Sequence, residues 1–340
     1  MKKLLLYLIL TIVSLNGISQ DNRYVPGDTV KEKYPYSLPI FGNFLHDVGV
    51  DLPYPVGVMG NFFYGVQDID ITERAIGFTS GRAGGVDIPL TDITRLIEFS
   101  EIKATAYSLN IRPDIWILPF LNVYGIIGKA WAVTDVVVSY PIEIRALAEL
   151  DGMSFGIGGT FAGGVGKYFM VLDMNRVWTY MSNFDEPVGT SVLSPRLGRT
   201  FKVGKNPESN VGFWIGAMRI NMGGVTNGYI TLADVLPPET WDNLDKVADD
   251  YYEWYNGIDE LKQNAADRIL TPIVEGLADA EGGTTVQYSL TKEPTGPWNM
   301  LIGGQYQVNK HWQFRAEVGI IGNRNSLLIS GNYRFGIAHK

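Results

Sequence analysis

The chain has no cysteine, only three histidines (His46, His311 and His339) and only 19% charged residues. Without cysteine there is no disulfide framework, no thiolate metal site and no cysteine nucleophile. The histidines fall before the first strand pattern, in a short turn and at the penultimate position. None is partnered with a serine and a carboxylate, so the sequence predicts no catalytic residues, and it predicts no metal site or cofactor. Beyond the first twenty residues the best apolar run is Ile115 to Leu121, which contains Pro119 and is far short of the ~20 residues a membrane helix needs. A net charge of −8 argues against a nucleic-acid partner. What the 340 residues do have is 46% hydrophobic content, 39 glycines and 8 Trp, 18 Tyr and 15 Phe, too much apolar material for a disordered chain.

Lys2 and Lys3 precede an apolar run from Leu4 to Leu15, and Gly17-Ile18-Ser19 then supplies small residues. This pattern predicts a secretory signal peptide over residues 1–19, leaving Gln20 first in an exported chain. Residues 20–50 are then expected to form a periplasmic N-terminal segment.

From residue 51 to 336 the dominant signal is alternation with period 2. In Tyr107 to Trp116 one face reads Tyr107, Leu109, Ile111, Pro113 and Ile115, and the other Ser108, Asn110, Arg112, Asp114 and Trp116, a complete separation apart from Trp116. Trp298 to Val308, Trp312 to Ile320 and Leu327 to Phe335 obey the same rule, with aromatics near the ends of the apolar face. A water-facing β-sandwich also alternates, but aromatic ends are what a lipid-facing girdle requires. Further segments at Tyr54 to Val66, Leu121 to Gly128, Met153 to Val165, Met170 to Tyr180, Val192 to Phe201 and Val211 to Met222 bring the strand count to ten. The expectation is therefore an all-β fold, a transmembrane antiparallel up-and-down barrel of about ten strands, with eight or twelve as alternatives. Short connections at Gly166-Lys167-Tyr168 and Asn309-Lys310-His311 would lie on the periplasmic side, and long loops at 67–96, 129–152 and 223–296 outside.

Between the seventh and eighth strands the period changes to about 3.6. Trp241, Leu244, Val247 or Ala248, Tyr251, Tyr255, Ile258 and Leu261 form one stripe, predicting an α-helical extracellular insert. Asn256-Gly257 and Thr271-Pro272 are plausible breaks, so two helices and a short third piece are expected. Residues 233–281 hold thirteen acids against three bases, a net −10, which leaves the barrel and other loops neutral once the signal peptide is removed. The insert is a solvated helical face packed on the rim, a lid, or a surface for a partner.

Projecting the alternation inward places Arg112, Asp114, Asp173, Arg196, Arg219, Arg315, Glu317 and Arg334 in the lumen, with Asn110, Asn122, Asn175, Asn221, Gln305 and Gln307. Such side chains either close the lumen as an ion-pair network or line a pathway for small solutes or anions. Arg176 falls out of phase, on the side of Met170, Leu172 and Met174. Asp68, Asp70 and Glu73 form a weak candidate cation site at the outer mouth, with a solvated loop as the simpler reading. Gly156 to Phe161 shares part of a dinucleotide fingerprint but lacks its βαβ setting, and reads as a strand with a small lumen face.

The closing Ser330-Gly-Asn-Tyr-Arg-Phe335 and the signal-like start resemble outer-membrane β-barrel proteins of Gram-negative bacteria. More narrowly, Leu118-Pro-Phe-Leu-Asn-Val-Tyr-Gly125 and Pro297-Trp-Asn-Met-Leu-Ile-Gly-Gly304 resemble a group of Bacteroidota-like barrel proteins, over most of residues 50–335. The resemblance implies a place in the cell outer membrane, contact with its lipid and lipopolysaccharide, and insertion by the barrel assembly machinery. It implies no activity. The aromatic Phe335 that would serve the assembly signal is followed by Gly336 to Lys340, a departure from the usual pattern. Functional expectations are thus a narrow porin-like pore or small-solute transporter, or a closed structural or binding barrel whose insert engages an extracellular partner. An enzyme acting on lipid is a third class without a visible nucleophile.

Overall fold

The computed structural model describes residues 34–79, 88–94, 97–141, 143–182, 184–223, 225–231, 234, 236, 242–278 and 285–337. The signal peptide, residues 20–33, Trp241 and His339 lie outside them. Thirteen strands are present among the described residues: β1 (Val56–Thr79), β2 (Ile88–Asp92), β3 (Glu98–Leu118), β4 (Leu121–Tyr140), β5 (Ile144–Val165), β6 (Tyr168–Met181), β7 (Val188–Lys202), β8 (Asn210–Gly223), β9 (Val225–Thr231), β10 (Thr285–Pro294), β11 (Trp298–Gln307), β12 (Trp312–Ile320) and β13 (Arg324–Phe335). Three helices accompany them: α1 (Gly42–Asp47), α2 (Leu244–Gly257) and α3 (Glu260–Ala278).

Ten of the strands close on themselves. The order β13-β12-β11-β8-β7-β6-β5-β4-β3-β1 is antiparallel at every step, and β1 returns to β13 through a twelve-pair register from Val56↔Phe335 to Gln67↔Arg324. Closure satisfies every edge, which is what allows a sheet to stand in lipid. These are the ten segments the alternation marks, so the all-β, ten-stranded barrel is the fold.

The exterior explains the hydropathy. Leu109, Ile111, Ile127, Ile157, Met170, Leu197, Phe213, Ile215, Ile302 and Ile329 all point outward and are exposed, Ile157 to 65%. A monomer in water does not display a continuous apolar belt of this kind, whereas a bilayer requires one. Rings sit at both heights. Tyr64 and Tyr107 pack 5.1 Å apart near one edge, and Trp312 and Tyr333 pack 4.9 Å apart near the other.

The expected long loops prove more ordered than their composition implies. Residues 129–152 are not a loop: β4 and β5 continue as one ladder up to Val138↔Ile144. Likewise 67–79 extends β1, and a small outer sheet forms from β9, β10, distal β1 and β2. The cause is the short β12–β13 hairpin, which ends at Ile321–Asn323 and leaves the upper flank of β1 free for β10. The handover is bonded: Asp68 N donates to Asn323 O at 3.1 Å, and Thr295 N to Asp68 O at 3.0 Å.

The acidic insert is a helical pair. α2 ends at Gly257 as expected, but α3 runs through Pro272, so the second interruption is not a break. Tyr251, fully buried, packs with Ala266, Leu270 and Val274, and its hydroxyl meets Thr271 Oγ1 at 2.7 Å. Leu261, assigned to the apolar stripe, is instead 84% exposed, because the stripe ends with α2 and α3 starts in a new phase. Ile97 and the ring of Tyr140, edge-on to Trp254 at 5.7 Å, seat the pair on the β3–β4 rim.

At the opposite, short-turn end, residues 34–55 cross beneath the barrel. Ile40 N donates to Ile117 O, and Lys310 Nζ reaches Asp51 Oδ1 at 2.6 Å. Tyr36, Tyr54, His311 and Tyr333 form a continuous aromatic contact. Burial, then the neighbouring Tyr36 and Asp51, push the Tyr34 hydroxyl up to about 12.

Candidate functional site: the lumen

The inward face carries charge in bonded groups that cross the lumen. The first joins β3, β4, β5 and β6. Asp173 accepts from Tyr124 Oη at 2.6 Å and Thr160 Oγ1 at 2.7 Å, with Arg112 Nη1 at 3.4 Å. Arg112 lies over the Tyr124 ring, 3.3 Å from its centre, and also donates to Thr160. Tyr124 fits because its neighbour is Gly158: a Cβ there would lie 2.4 Å from the ring.

The second group spans β7, β8 and β12. Arg196 grips Glu317 with two bonds, Nε to Oε2 at 2.6 Å and Nη2 to Oε1 at 2.9 Å. Trp214 Nε1 adds a third donor to the same carboxylate at 2.7 Å. Gly303 leaves the space for that indole, since a Cβ would approach it to 2.5 Å. Arg315 stands over Trp214, 5.3 Å from the centre of its ring.

A third group closes the short-turn end, where Arg334 pairs with Asp114 at 2.9 Å, donates to Tyr54 O, and Asn122 donates to the same carboxylate. A fourth lies higher. Arg324, 3% exposed, donates to Gln67 Oε1 and Met218 O, and Asn299 Nδ2 donates to Arg324 O. Arg324 and Gln67 were not singled out by alternation, because they begin and end the β1–β13 ladder where the pattern gives way to turns.

Arg219 departs from the expected set. It lies on the exposed face of β8 with Phe213 and Ile215, opposite Trp298 at the rim. The inward residues of β8 are Trp214 and Met218, so the expected phase of this strand is off by one, and Asn221 is displaced with it. The inward face of β8 holds Gly212, Trp214, Gly216 and Met218 and no charged residue, while Arg219 and Asn221 fall on the outer face near the rim, so polarity alone sets the wrong phase. Six of the remaining seven are joined in the three charged groups, and the seventh, Arg315, lies beside them over Trp214.

Above the charged groups the lining changes character. Ile69, Ile71 and Ile102 are buried together against Phe99, Ala104, Val136, Met222 and Leu290. Beside them, where β1 and β3 part after Asp68↔Lys103, is a cleft of about 340 Å³ that includes Asp68, Asp70, Arg74 and Thr295. Arg74 lines it, donating to Ile71 O and Ile97 O over the Phe99 ring. Asp68, Asp70 and Glu73 thus belong to a strand, and Glu73 accepts from Thr291 at 2.9 Å. Among the described residues no three His, Asp or Glu side chains converge as a metal site.

An even-stranded closed barrel with an apolar belt, aromatic edges and a polar interior defines a transmembrane β-barrel of the outer-membrane type. No family model matches the sequence, and no curated protein matches it. Solved structures similar to it are outer-membrane barrels. The transport unit of the autotransporter AIDA-I from Escherichia coli is 10% identical, with 83% of this chain and 90% of that one covered and a TM-score of 0.34. The outer membrane protein OprG from Pseudomonas aeruginosa is 10% identical over 84% and 98%, at 0.37. The Ralstonia pickettii toluene transporter TbuX is 9% identical over 84% and 90%, at 0.23. At this distance nothing about solute or partner passes from them to this chain.

Proposed function

We propose that this chain is an outer-membrane passage for small solutes, gated by its own lumen side chains, with an interior that favours anions. The observation that carries this reading is the charge balance. In the ten barrel strands, inward Arg112, Arg196, Arg315, Arg324 and Arg334 stand against three inward carboxylates, Asp114, Asp173 and Glu317. Each carboxylate is taken by one arginine, leaving a surplus of two positive charges on a path walled by lipid. A low-dielectric wall magnifies such a field and selects by sign.

Opening requires that the bonded groups swing aside, since they cross the lumen from β3 to β6 and from β7 to β12. That crossing also favours a rival reading, a permanently closed barrel that serves as structure or as a support for the acidic insert. In either case the belt meets lipid and lipopolysaccharide, the chain depends on the barrel assembly machinery, and the helical pair, within the −10 segment 233–281, offers its exposed acids to an extracellular partner. Planar-bilayer recording separates the two. Small anion-selective steps are expected, and silence from both the full chain and a deletion of 233–281 would overturn the passage.

A further inference from the structure

Arg315 has neither a carboxylate nor a hydrogen-bond acceptor among the described residues. Its Nε is buried with no partner, and its guanidinium lies over the ring of Trp214. Elsewhere in the lumen each arginine is used: Arg112 by Asp173 and Thr160, Arg196 by Glu317, Arg334 by Asp114, Arg324 by two oxygens.

The register then shows what surrounds it. Arg315 is directly opposite Gln305 on β11 and Ser330 on β13. Ser330 is 4% exposed, and its Oγ is a second buried atom without a partner. Gln305 makes no side-chain hydrogen bond among the described residues. Three neighbouring strands thus present a guanidinium, a hydroxyl and an amide at one height, all able to donate. Across the lumen, Arg112 Nε is likewise buried and unbonded. Arg315 lies within electrostatic reach of Arg112 and Arg196 and of Asp173 and Glu317, but those two acids are already paired with those two arginines.

An uncompensated guanidinium inside a membrane barrel is costly, and its cost is removed by a counter-ion rather than by proton loss. We propose that Arg315, with Ser330 and Gln305, forms a lumen site for a small oxyanion, a phosphate- or carboxylate-sized group that a planar guanidinium engages through two parallel bonds. The wall separates this site from lipid headgroups, so its ligand is a dissolved anion. The site rests on the passage reading only for how the anion arrives, and it supplies the solute class that reading leaves open.

Calorimetric titration of the folded, detergent-solubilised full chain with inorganic phosphate in chloride-free buffer tests it. The wild type is expected to bind one phosphate, and Arg315→Gln to bind it about tenfold more weakly or worse, a loss of about 1.4 kcal/mol. Lys129→Gln, which removes a positive charge from the outer wall, is expected to bind as the wild type does. If Arg315→Gln fails to give a heat-modifiable band, Ser330→Ala takes its place, with several-fold weaker binding expected. No phosphate binding by the wild type, unchanged binding in Arg315→Gln or Ser330→Ala, or equal loss in Lys129→Gln would each overturn the site. Phosphate binding in a barrel that never conducts overturns the passage and leaves the site standing, and conductance without phosphate binding does the reverse.

Discussion

Arg196 on β7 and Glu317 on β12, three steps apart in the order of the barrel strands, hold each other through two hydrogen bonds, 2.6 and 2.9 Å long. Both are almost fully buried, so neither charge has water to fall back on. Breaking the pair from one side leaves an ion stranded, at a cost of about 3–5 kcal/mol. Glu317→Gln is therefore expected to lower the temperature at which the barrel unfolds on a heat-modifiability gel. The double change Arg196→Met with Glu317→Leu is expected to recover most of the loss. Equal melting of Glu317→Gln and wild type would show that the pair is not closing the barrel.

Gly303 and Gly158 make room for Trp214 and Tyr124, the two rings that donate to the lumen carboxylates. Gly303→Ala puts a methyl 2.5 Å from the indole, and overpacking of this kind costs about 1–3 kcal/mol. The indole must tilt away from Glu317, so quenched or shifted tryptophan emission should accompany the loss of stability. An unaltered spectrum would mean that the wall yields instead of the ring.

The belt makes a depth prediction. Ile111→Lys and Ile127→Lys place a charge at mid-height on the lipid face and are expected to cost about 2–4 kcal/mol in a reversible unfolding titration from lipid vesicles. Arg219→Ala, at the rim, is expected to change stability by less than about 1 kcal/mol. A large effect at Arg219 and none at Ile111 would invert the placement of the bilayer.

The segment beneath the barrel should respond to alkali. Burial opposes the charge on Lys310, but its bond to Asp51, with Glu208 nearby, outweighs this and holds it above the ordinary lysine value. Tyr34 is likewise raised, to about 12. For both groups the folded value exceeds the unfolded one, so their contribution is complete below about pH 10 and is lost as the pH rises through the folded values. Hydrogen exchange over residues 34–55 is expected to quicken above pH 10.5 while the barrel ladders stay protected. Uniform exchange up to pH 12 would count against this tie.

Tyr251 fills the space between α2 and α3 and bonds Thr271. Tyr251→Ala is expected to cost the helical pair about 3–5 kcal/mol, seen as faster exchange confined to residues 242–278. The heat-modifiable shift of the barrel should not move. A matching drop in barrel stability would mean that the insert supports the wall and does not merely rest on it.

How much of this was legible in the chain depends on how local the physics is. A strand between lipid and a polar lumen must alternate, so all ten barrel strands could be read from period 2, and the change to 3.6 marked the helical pair. The same alternation brought Arg112, Asp114, Asp173, Arg196, Arg315, Glu317 and Arg334 forward as candidates, but it misled at Arg219, because the inward face of β8 carries no charge and the polar residues of that strand stand on its outer face near the rim. It had no means of seeing β9 and β10, whose pairing is decided by where the short β12–β13 hairpin stops, or the upper half of β5, which only its ladder with β4 extends.

Sequence by itself therefore determined the class of fold, the belt and the concentration of acid in one insert, because each follows from residues within a dozen positions of one another. Tertiary structure alone decided which lumen charges meet. Arg196 and Glu317 are 121 residues apart, and only barrel closure, through a register set strand by strand, brings them into contact. That same closure leaves Arg315 beside Ser330 and Gln305 with no acid to share.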